Sequence, residues 1–336
     1  MIDLMIKAAF VCNCTDKLLE VYGDGRFDRV LELTDCSSAI VTTENFFDNK
    51  DSLRDVEVIF STWGMPAFDD SMFKVMPELK AVFYAAGSVK GFAESMLDRG
   101  IKVSSAWNAN AVPVAEFTVA QIILACKRYF ANSDACRDQE KRHSHKAPVG
   151  PGGFEETVAL IGCGMIAKNV IRILKEFSVK IIVVDPYLPD YEARTLGVEK
   201  VSLEDAFERA FVVSNHLPNI PPTVGMINRR LFESMRYGAC FINTGRGAQV
   251  VESEMIDVLQ KRPDLTALLD VTCPEPPEKG SPLYTMPNVR LSSHIAGSLG
   301  NELVRMADSA IAEFKRWRDG LQLQNEITAD MLKKMA

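Results

Sequence analysis

TVALIGCGMIAKNVIRILKEF, residues 157–177, decides the fold. Its first five residues form a short β-rich run that reads as a strand. Gly162, Gly164 and Ala167 then give G-x-G-x-x-A, and residues 166–177 carry the apolar spacing of a helix. The first glycine permits a tight turn, the second lets backbone approach a pyrophosphate, and the small third residue lets the helix pack close to the strand. Met165 and Ile166 open the helix, where free N–H groups and a partial positive charge face an anion. A purely structural corner can share this pattern. Asp185 strengthens the reading, because it ends the next apolar run, KIIVVDPY, where a carboxylate accepts hydrogen bonds from the ribose hydroxyls of a dinucleotide. An Asp-Pro turn is compatible with that contact. A carboxylate there repels a 2′-phosphate and no arginine follows immediately, so NAD is expected rather than NADP.

On both sides of this unit, β-rich runs alternate with helical ones. KAAFVCN reads as a first strand, followed by strands at 57–61, 80–84, 101–104, 180–184, 211–214, 239–242 and 265–269. Helical spacing appears at 91–99, 229–235 and 252–261. Such alternation marks βαβ units and parallel sheets, so two α/β regions are expected. Residues 114–131 are helical and apolar over most of their circumference, with Pro113 expected in the first turn. A helix this apolar reads as buried, at a domain or subunit junction. The segment SDACRDQEKRHSHKAPVGPGG, 133–153, reads as a polar surface connection. His143 and His145 lie in it without a carboxylate or cysteine at ligand spacing, so a solvated turn and no metal are expected.

The 336 residues suffice for two cores, with 47% hydrophobic and 25% charged residues, ordinary globular values. A net charge of -7 argues against non-specific attraction to nucleic acid or an anionic membrane. No apolar run is expected to reach the ~20 residues of a membrane span. The start lacks a basic segment and a small-residue cleavage pattern, so no signal peptide is expected. Eight scattered cysteines without a C-x-x-C pair suit a reducing, cytoplasmic setting. Cys273 has no separate base to make it a nucleophile.

Three segments each follow an expected strand: INTGRGAQV with Thr244, Gly245 and Arg246; LLDVTCPEPP with Asp270 and Glu275; and VRLSSHIAGS with His294 and Gly297. Doubly wound sheets bind ligands beyond the C-terminal ends of their strands, so Arg246, Glu275 and His294 could converge. Singly, each has an ordinary reading: a surface turn, a solvated acid, a satisfied core histidine.

Together and in this order, these motifs resemble the D-isomer-specific 2-hydroxyacid dehydrogenase family, with phosphoglycerate dehydrogenases and hydroxypyruvate reductases among its members. NANAVPVAEFTVAQIIL and SPLYTMPNVRLSSHIAG extend the resemblance over nearly the whole chain. It implies an NAD-dependent oxidoreductase interconverting a 2-oxo acid and a D-2-hydroxy acid, by Arg246, Glu275 and His294. Arg246 would bind the substrate carboxylate and 2-oxo oxygen, a guanidinium fork matching a carboxylate. His294 would protonate that oxygen, and Glu275 would pair with His294 and favour its charged form. Thr244, Gly245, Asp270, Gly297 and the HLP stretch (His216, Leu217, Pro218) would line the cofactor. The architecture implied is a Rossmann NAD-binding domain, 108–300, inserted into a smaller flavodoxin-like substrate domain, 1–107 plus 301–336. The cleft between them would hold a small acid. YAAGSVKGF, 84–92, stands where the family holds the carboxylate on backbone N–H groups, so Ala86, Gly87 and Ser88 would bind substrate. The family loop is commonly richer in glycine and followed by an acid or amide, which leaves the particular 2-oxo acid open. A homodimer is implied. The sequence closes soon after ITADMLKKMA, so no appended regulatory domain is expected. Other readings are an NAD(H)-sensing interaction protein of the corepressor type and a reductase using NADPH. Formate dehydrogenase shares the fold but pairs its histidine with glutamine, against Glu275.

Overall fold

The computed structural model describes residues 5–333; the outermost residues of the expected substrate domain, 1–4 and 334–336, lie outside them. The chain divides into two units. The first takes the chain up to Asn110 and from Ser298 onward, and the second takes Ala111–Gly297.

The first unit is built on five parallel strands, β1 Lys7–Val11, β2 Asp35–Val41, β3 Val58–Ser61, β4 Ala81–Tyr84 and β5 Lys102–Ser105, in the order β2-β1-β3-β4-β5. β3 and β4 are buried along their whole length, as parallel strands roofed on both faces must be. One roof includes the helix Val304–Arg318, which lays Met306, Ala307, Ala310, Ile311 and Phe314 on the sheet and so brings the C-terminal part of the chain into this unit. Phe314 meets Phe60 and Phe83 at ring-centroid distances of 5.3 and 5.6 Å. Truncating one of these fully buried rings to alanine should cost about 3–5 kcal/mol. Glu313, almost fully buried on the same helix, is satisfied by the backbone N–H groups of Gln324 and Asn325 at 2.9 Å.

The second unit has seven parallel strands, β6 Thr157–Ile161, β7 Lys180–Val184, β8 Glu199–Lys200, β9 Val212–Asn215, β10 Cys240–Asn243, β11 Thr266–Leu269 and β12 Val289–Leu291. Their order is β12-β11-β10-β9-β6-β7-β8. Strand order therefore reverses between β6 and β9, which sets a ligand crevice at their C-terminal ends. The β6 register, Val158 to Ile181 on one side and Val158 to Val212 on the other, aligns the ends of β6, β7 and β9. Both units are doubly wound α/β folds, as the alternation of runs implied.

The differences from the sequence reading are local. β2 and β8 were not expected, and the strand before His294 was expected without bounds: β2 is a mostly exposed edge strand, β8 is two residues long, and β12 is a three-residue edge strand. The long helix begins at Trp107, not near residue 114, and continues to Cys126, so Pro113 lies inside it and not in its first turn. Asn108, Asn110 and Pro113 hid its start. That 20-residue helix also corrects the expectation that no run reaches membrane-span length: it is long and apolar enough by length and composition. Ala115, Val119, Ile122, Ala125 and Cys126 nevertheless pack into the second unit's core. The connection at 133–153 holds two short helices, Tyr129–Ala135 reaching into it and Gln139–His143, and both of its histidines are exposed.

Candidate active site

The glycine turn has the geometry a pyrophosphate needs. Gly162 has φ +92°, and a Cβ there would meet the His216 carbonyl oxygen at 2.9 Å, so only glycine lets the β6 and β9 loops approach this closely. A Cβ on Gly164 would meet nothing within 4 Å, so the protein itself does not demand that glycine. The helix Met165–Leu174 starts there, with Ala167 fully buried against the strand. Its first internal bond is Lys168 N–H to the Gly164 carbonyl, which leaves the N–H groups of Met165, Ile166 and Ala167 pointing out of the helix start.

Asp185 is held on both oxygens. Oδ2 accepts from the Cys163 N–H and Oδ1 from the Tyr187 N–H, each at 2.8 Å. The carboxylate thus braces the glycine turn and keeps spare lone pairs for two ribose hydroxyls. The Cys163 thiol between the glycines is pushed up to about 11, by burial first and the Asp185 charge second, so it stays protonated. His216 is half-buried, with its Nδ1 shielded, and burial of the ring pulls it down to about 4, so the ring is neutral at physiological pH. Its Nε2 lies 3.0 Å from the Ser214 hydroxyl, while Nδ1 has no protein partner among the described residues. An orphaned polar atom beside the glycine turn, the open face of Gly164 and the free helix N–H groups all fit a dinucleotide.

Arg246, Glu275 and His294 follow β10, β11 and β12, and the structure brings them together. His294 Nδ1 lies 2.6 Å from Glu275 Oε1, and both side chains are partly exposed. Burial lowers the Arg246 guanidinium, and the Glu275 charge partly offsets this; an arginine so placed keeps its charge. Arg246 Nη1 donates to the Gly245 carbonyl at 2.7 Å. A Cβ on Gly247 would sit 2.0 Å from the Thr272 carbonyl carbon and oxygen, so the Arg246 loop rests directly on the loop that leads to Glu275. Glu252 ties that second loop down by accepting the Cys273 N–H at 3.0 Å. Cys273 itself is exposed. Thr244 meets Thr118 hydroxyl to hydroxyl at 3.2 Å.

His294 has φ +58°, a left-handed conformation costing on the order of 1–3 kcal/mol for a non-glycine residue. Asp270 holds it there. The His294 N–H donates to the Asp270 carbonyl at 3.0 Å, and the buried carboxylate accepts from Ser292 Oγ, the Ile295 N–H and the Ala296 N–H at 2.6–2.9 Å. Asp270 thus shapes the histidine loop that ends at Gly297, at the second unit's boundary.

Sequence reading missed an amide network beneath these loops. Asn215 Nδ2 donates to Asn243 Oδ1 at 3.0 Å and to Gln249 Oε1 at 3.1 Å. Gln249 also accepts the Arg246 N–H and donates to the Pro218 carbonyl, while Asn215 Oδ1 accepts the Leu217 N–H. All three amides are buried. The one signal available was an asparagine ending each of two apolar strands.

In the first unit, Ala86, Gly87 and Ser88 follow β4, with Ala86 buried and Ser88 exposed. They belong to a different unit from Arg246.

Comparison with known proteins agrees with this geometry. Residues 119–296 match the model of the D-isomer specific 2-hydroxyacid dehydrogenase NAD binding domain, and NAD is the cofactor of that domain. The chain is 31% identical over 273 residues to the putative 2-hydroxyacid dehydrogenase YoaD of Bacillus subtilis, covering 79% of this chain and 78% of that one. It is 29% identical to D-3-phosphoglycerate dehydrogenase of Methanocaldococcus jannaschii, over 78% of this chain and 50% of the relative. The chain spans half or less of the length of the phosphoglycerate dehydrogenases it matches. Among solved structures, the NAD-complexed D-isomer specific 2-hydroxyacid dehydrogenase of Lactobacillus delbrueckii ssp. bulgaricus shares the fold, with a TM-score of 0.75, 19% identity, and coverage of 96% of this chain and 100% of that one. The chain belongs to the D-isomer specific 2-hydroxyacid dehydrogenase family.

Proposed function

We propose that this oxidoreductase reduces a 2-oxo acid to its D-2-hydroxy acid and that Arg246, Glu275 and His294 carry the chemistry. The observation that carries the reading is the 2.6 Å pair of His294 Nδ1 and Glu275 Oε1, on the loop after β12 and the loop after β11, with the Arg246 loop resting on the loop that leads to Glu275. Glu275 occupies Nδ1, so Nε2 is the ring nitrogen that faces substrate; the tautomer follows from the hydrogen bond. Arg246 offers a two-pronged donor to the carboxylate and to the oxo oxygen. When bound, NADH supplies the hydride to C2. As negative charge builds on the oxo oxygen, Arg246 stabilises it and the protonated His294 ring delivers the Nε2 proton. The balance is one hydride and one proton added across C=O, leaving a neutral imidazole to be reprotonated from solvent.

Gly162, Gly164 and the helix start at Met165 and Ile166 would hold the pyrophosphate, and Asp185 the adenosine ribose. A fixed carboxylate at that place disfavours a 2′-phosphate, which supports NAD over NADP. Ala86, Gly87 and Ser88 would bind the substrate carboxylate through backbone N–H groups. The eight cysteines are all unpaired, which supports a cytoplasmic setting. A homodimer belongs to the same proposal, and sedimentation at micromolar concentration checks it against the 37.3 kDa monomer.

The test is NADH oxidation with glyoxylate, hydroxypyruvate, pyruvate, phenylpyruvate and longer 2-oxo acids. Turnover with at least one, lost in His294→Ala while NADH still binds, is the expected result. No turnover with any of them would sink the proposal.

A further inference from the structure

The loop after β4 has an unusual hydrogen-bond pattern. Three successive carbonyls, those of Ala85, Ala86 and Gly87, point at two buried hydroxyls. Thr62 Oγ1 donates to the Ala85 carbonyl at 2.8 Å. Ser105 Oγ lies 2.8 Å from the Ala86 carbonyl and 2.6 Å from that of Gly87, so its single proton is shared between them. Thr62 follows the end of β3, Ser105 is the last residue of β5, and neither side chain reaches solvent. The two hydroxyls therefore grip the loop from the strands on either side of β4.

A peptide unit is planar and trans, so its N–H points away from its own carbonyl. Pulling the carbonyls of Ala85, Ala86 and Gly87 inward turns the N–H groups of Ala86, Gly87 and Ser88 the other way. Among the described residues, none of these three N–H groups donates to another protein group. The preceding residue behaves differently: the Ala85 N–H is still part of the sheet ladder, bonded to the Ser61 carbonyl at 2.8 Å. Consecutive N–H groups released in this way form a concave anion seat. No cationic side chain is needed to make it.

We infer that Thr62 and Ser105 are positioning residues of the substrate carboxylate seat: their hydroxyls hold the carbonyls of residues 85–87 inward so that the N–H groups of Ala86, Gly87 and Ser88 face the anion. The inference rests on the proposed binding of a 2-oxo acid carboxylate at this loop. Without the hydroxyls the buried carbonyls lose their partners, and the peptides gain by rotating toward any other donor. The seat then collapses while the sheet beneath it stays.

The test uses the full-length, NADH-loaded protein and oxamate, a 2-oxo acid mimic that is not reduced, as the probe in calorimetric titration. Steady-state kinetics on the best 2-oxo acid run in parallel. Thr62→Val keeps the shape and removes the hydroxyl, and Thr62→Ser keeps the hydroxyl. Ser105→Ala adds no bulk and gives an independent reading if valine disturbs the strand end. The expected result is a rise of roughly 10-fold in oxamate Kd and in KM for Thr62→Val and Ser105→Ala. Over the same variants kcat should change far less, NADH Kd should be unchanged, and Thr62→Ser should recover most of the loss. Variants that bind NADH normally yet keep the original oxamate Kd and KM would overturn the inference alone. So would a Thr62→Ser variant as impaired as Thr62→Val. An unaltered protein that neither binds oxamate nor turns over any 2-oxo acid would overturn the proposed function and the inference together.

Discussion

The two units share one architecture and solve the same problem with different chemistry. Each is a parallel sheet wound on both faces, and each gathers functional loops at the C-terminal ends of its strands. At the first unit's edge the working groups are main-chain ones. Thr62 and Ser105 orient a run of peptides, and the loops of residues 62–65 and 85–89 carry no charged side chain. At the second unit's edge the groups we propose to work are side chains, Asp185, Asp270, Arg246, Glu275 and His294, over a floor of Asn215, Asn243 and Gln249. All four histidines of the chain lie at 143–294, within the second unit. The fold fixes where the loops go, and the loops alone decide the chemistry.

The sharpest way to break this contrast is at Arg246. Replacing it by alanine should cost about 2–5 kcal/mol of transition-state binding, measured as kcat/KM on the best 2-oxo acid, with NADH Kd nearly unchanged. Lysine should rescue little, because it lacks the planar fork. Retention of near-normal kcat/KM in Arg246→Ala would remove the residue from the site.

Gly247→Ala should cost slightly less. Its Cβ would strike the Thr272 backbone, so the Arg246 and Glu275 loops must separate, and displacement of about 1 Å can cost about 10²-fold in rate. Cofactor affinity should change little, since the glycine turn is untouched. A normal kcat in this variant would show that the loop contact carries no catalytic geometry.

The units should also differ in acid. His216 is pulled down to about 4 by burial, below the value near 6.5 of an unfolded histidine. The unfolded state therefore binds a proton that the folded state refuses, so stability is lost as pH falls from about 6.5 toward 4. The loss is on the order of 2–3 kcal/mol. Hydrogen exchange followed through that interval should show the seven-stranded sheet weakening before the five-stranded one. His216→Asn should flatten the dependence, and an unchanged slope in that variant would assign the acid sensitivity elsewhere.

Asp185→Ala tests a smaller effect. It should weaken NADH binding roughly 10-fold, about the worth of charge-assisted hydrogen bonds, and narrow the preference over NADPH. Part of that loss would come from the turn, because Asp185 also holds the Cys163 N–H. Equal kcat/KM for NADH and NADPH in the unaltered protein would contradict the cofactor preference.

How legible each region was follows from the same contrast. The glycine turn, Asp185 and the three segments with Arg246, Glu275 and His294 stood out in the sequence because they are distinct residue types placed after strands, and the structure places them after β6, β7, β10, β11 and β12. The first unit's seat was readable only as a resemblance in YAAGSVKGF, because backbone N–H groups have no sequence signature and the controlling hydroxyls lie 23 residues before Ala85 and 20 after it, in Thr62 and Ser105. The amide network stayed hidden for the opposite reason: Asn215 and Asn243 end apolar strands, where a polar residue looks like a simple strand stop. Gly247 looked like half of a turn signal, while its real demand is the 2.0 Å approach of Thr272, a contact across 25 residues. Pro113 misled because a proline usually opens a helix, and here the helix runs through it.

The central claim is that the pair His294–Glu275 handles the proton, and pH–rate profiles of the unaltered protein and Glu275→Gln test it most directly. Reduction needs the protonated ring, so kcat/KM for the 2-oxo acid should fall as pH rises. Oxidation of the hydroxy acid needs the neutral ring and should rise over the same interval. Glu275→Gln should change the profile in both directions of reaction while leaving NADH binding intact. Superimposable profiles for the two proteins, in either direction of reaction, would contradict the claim.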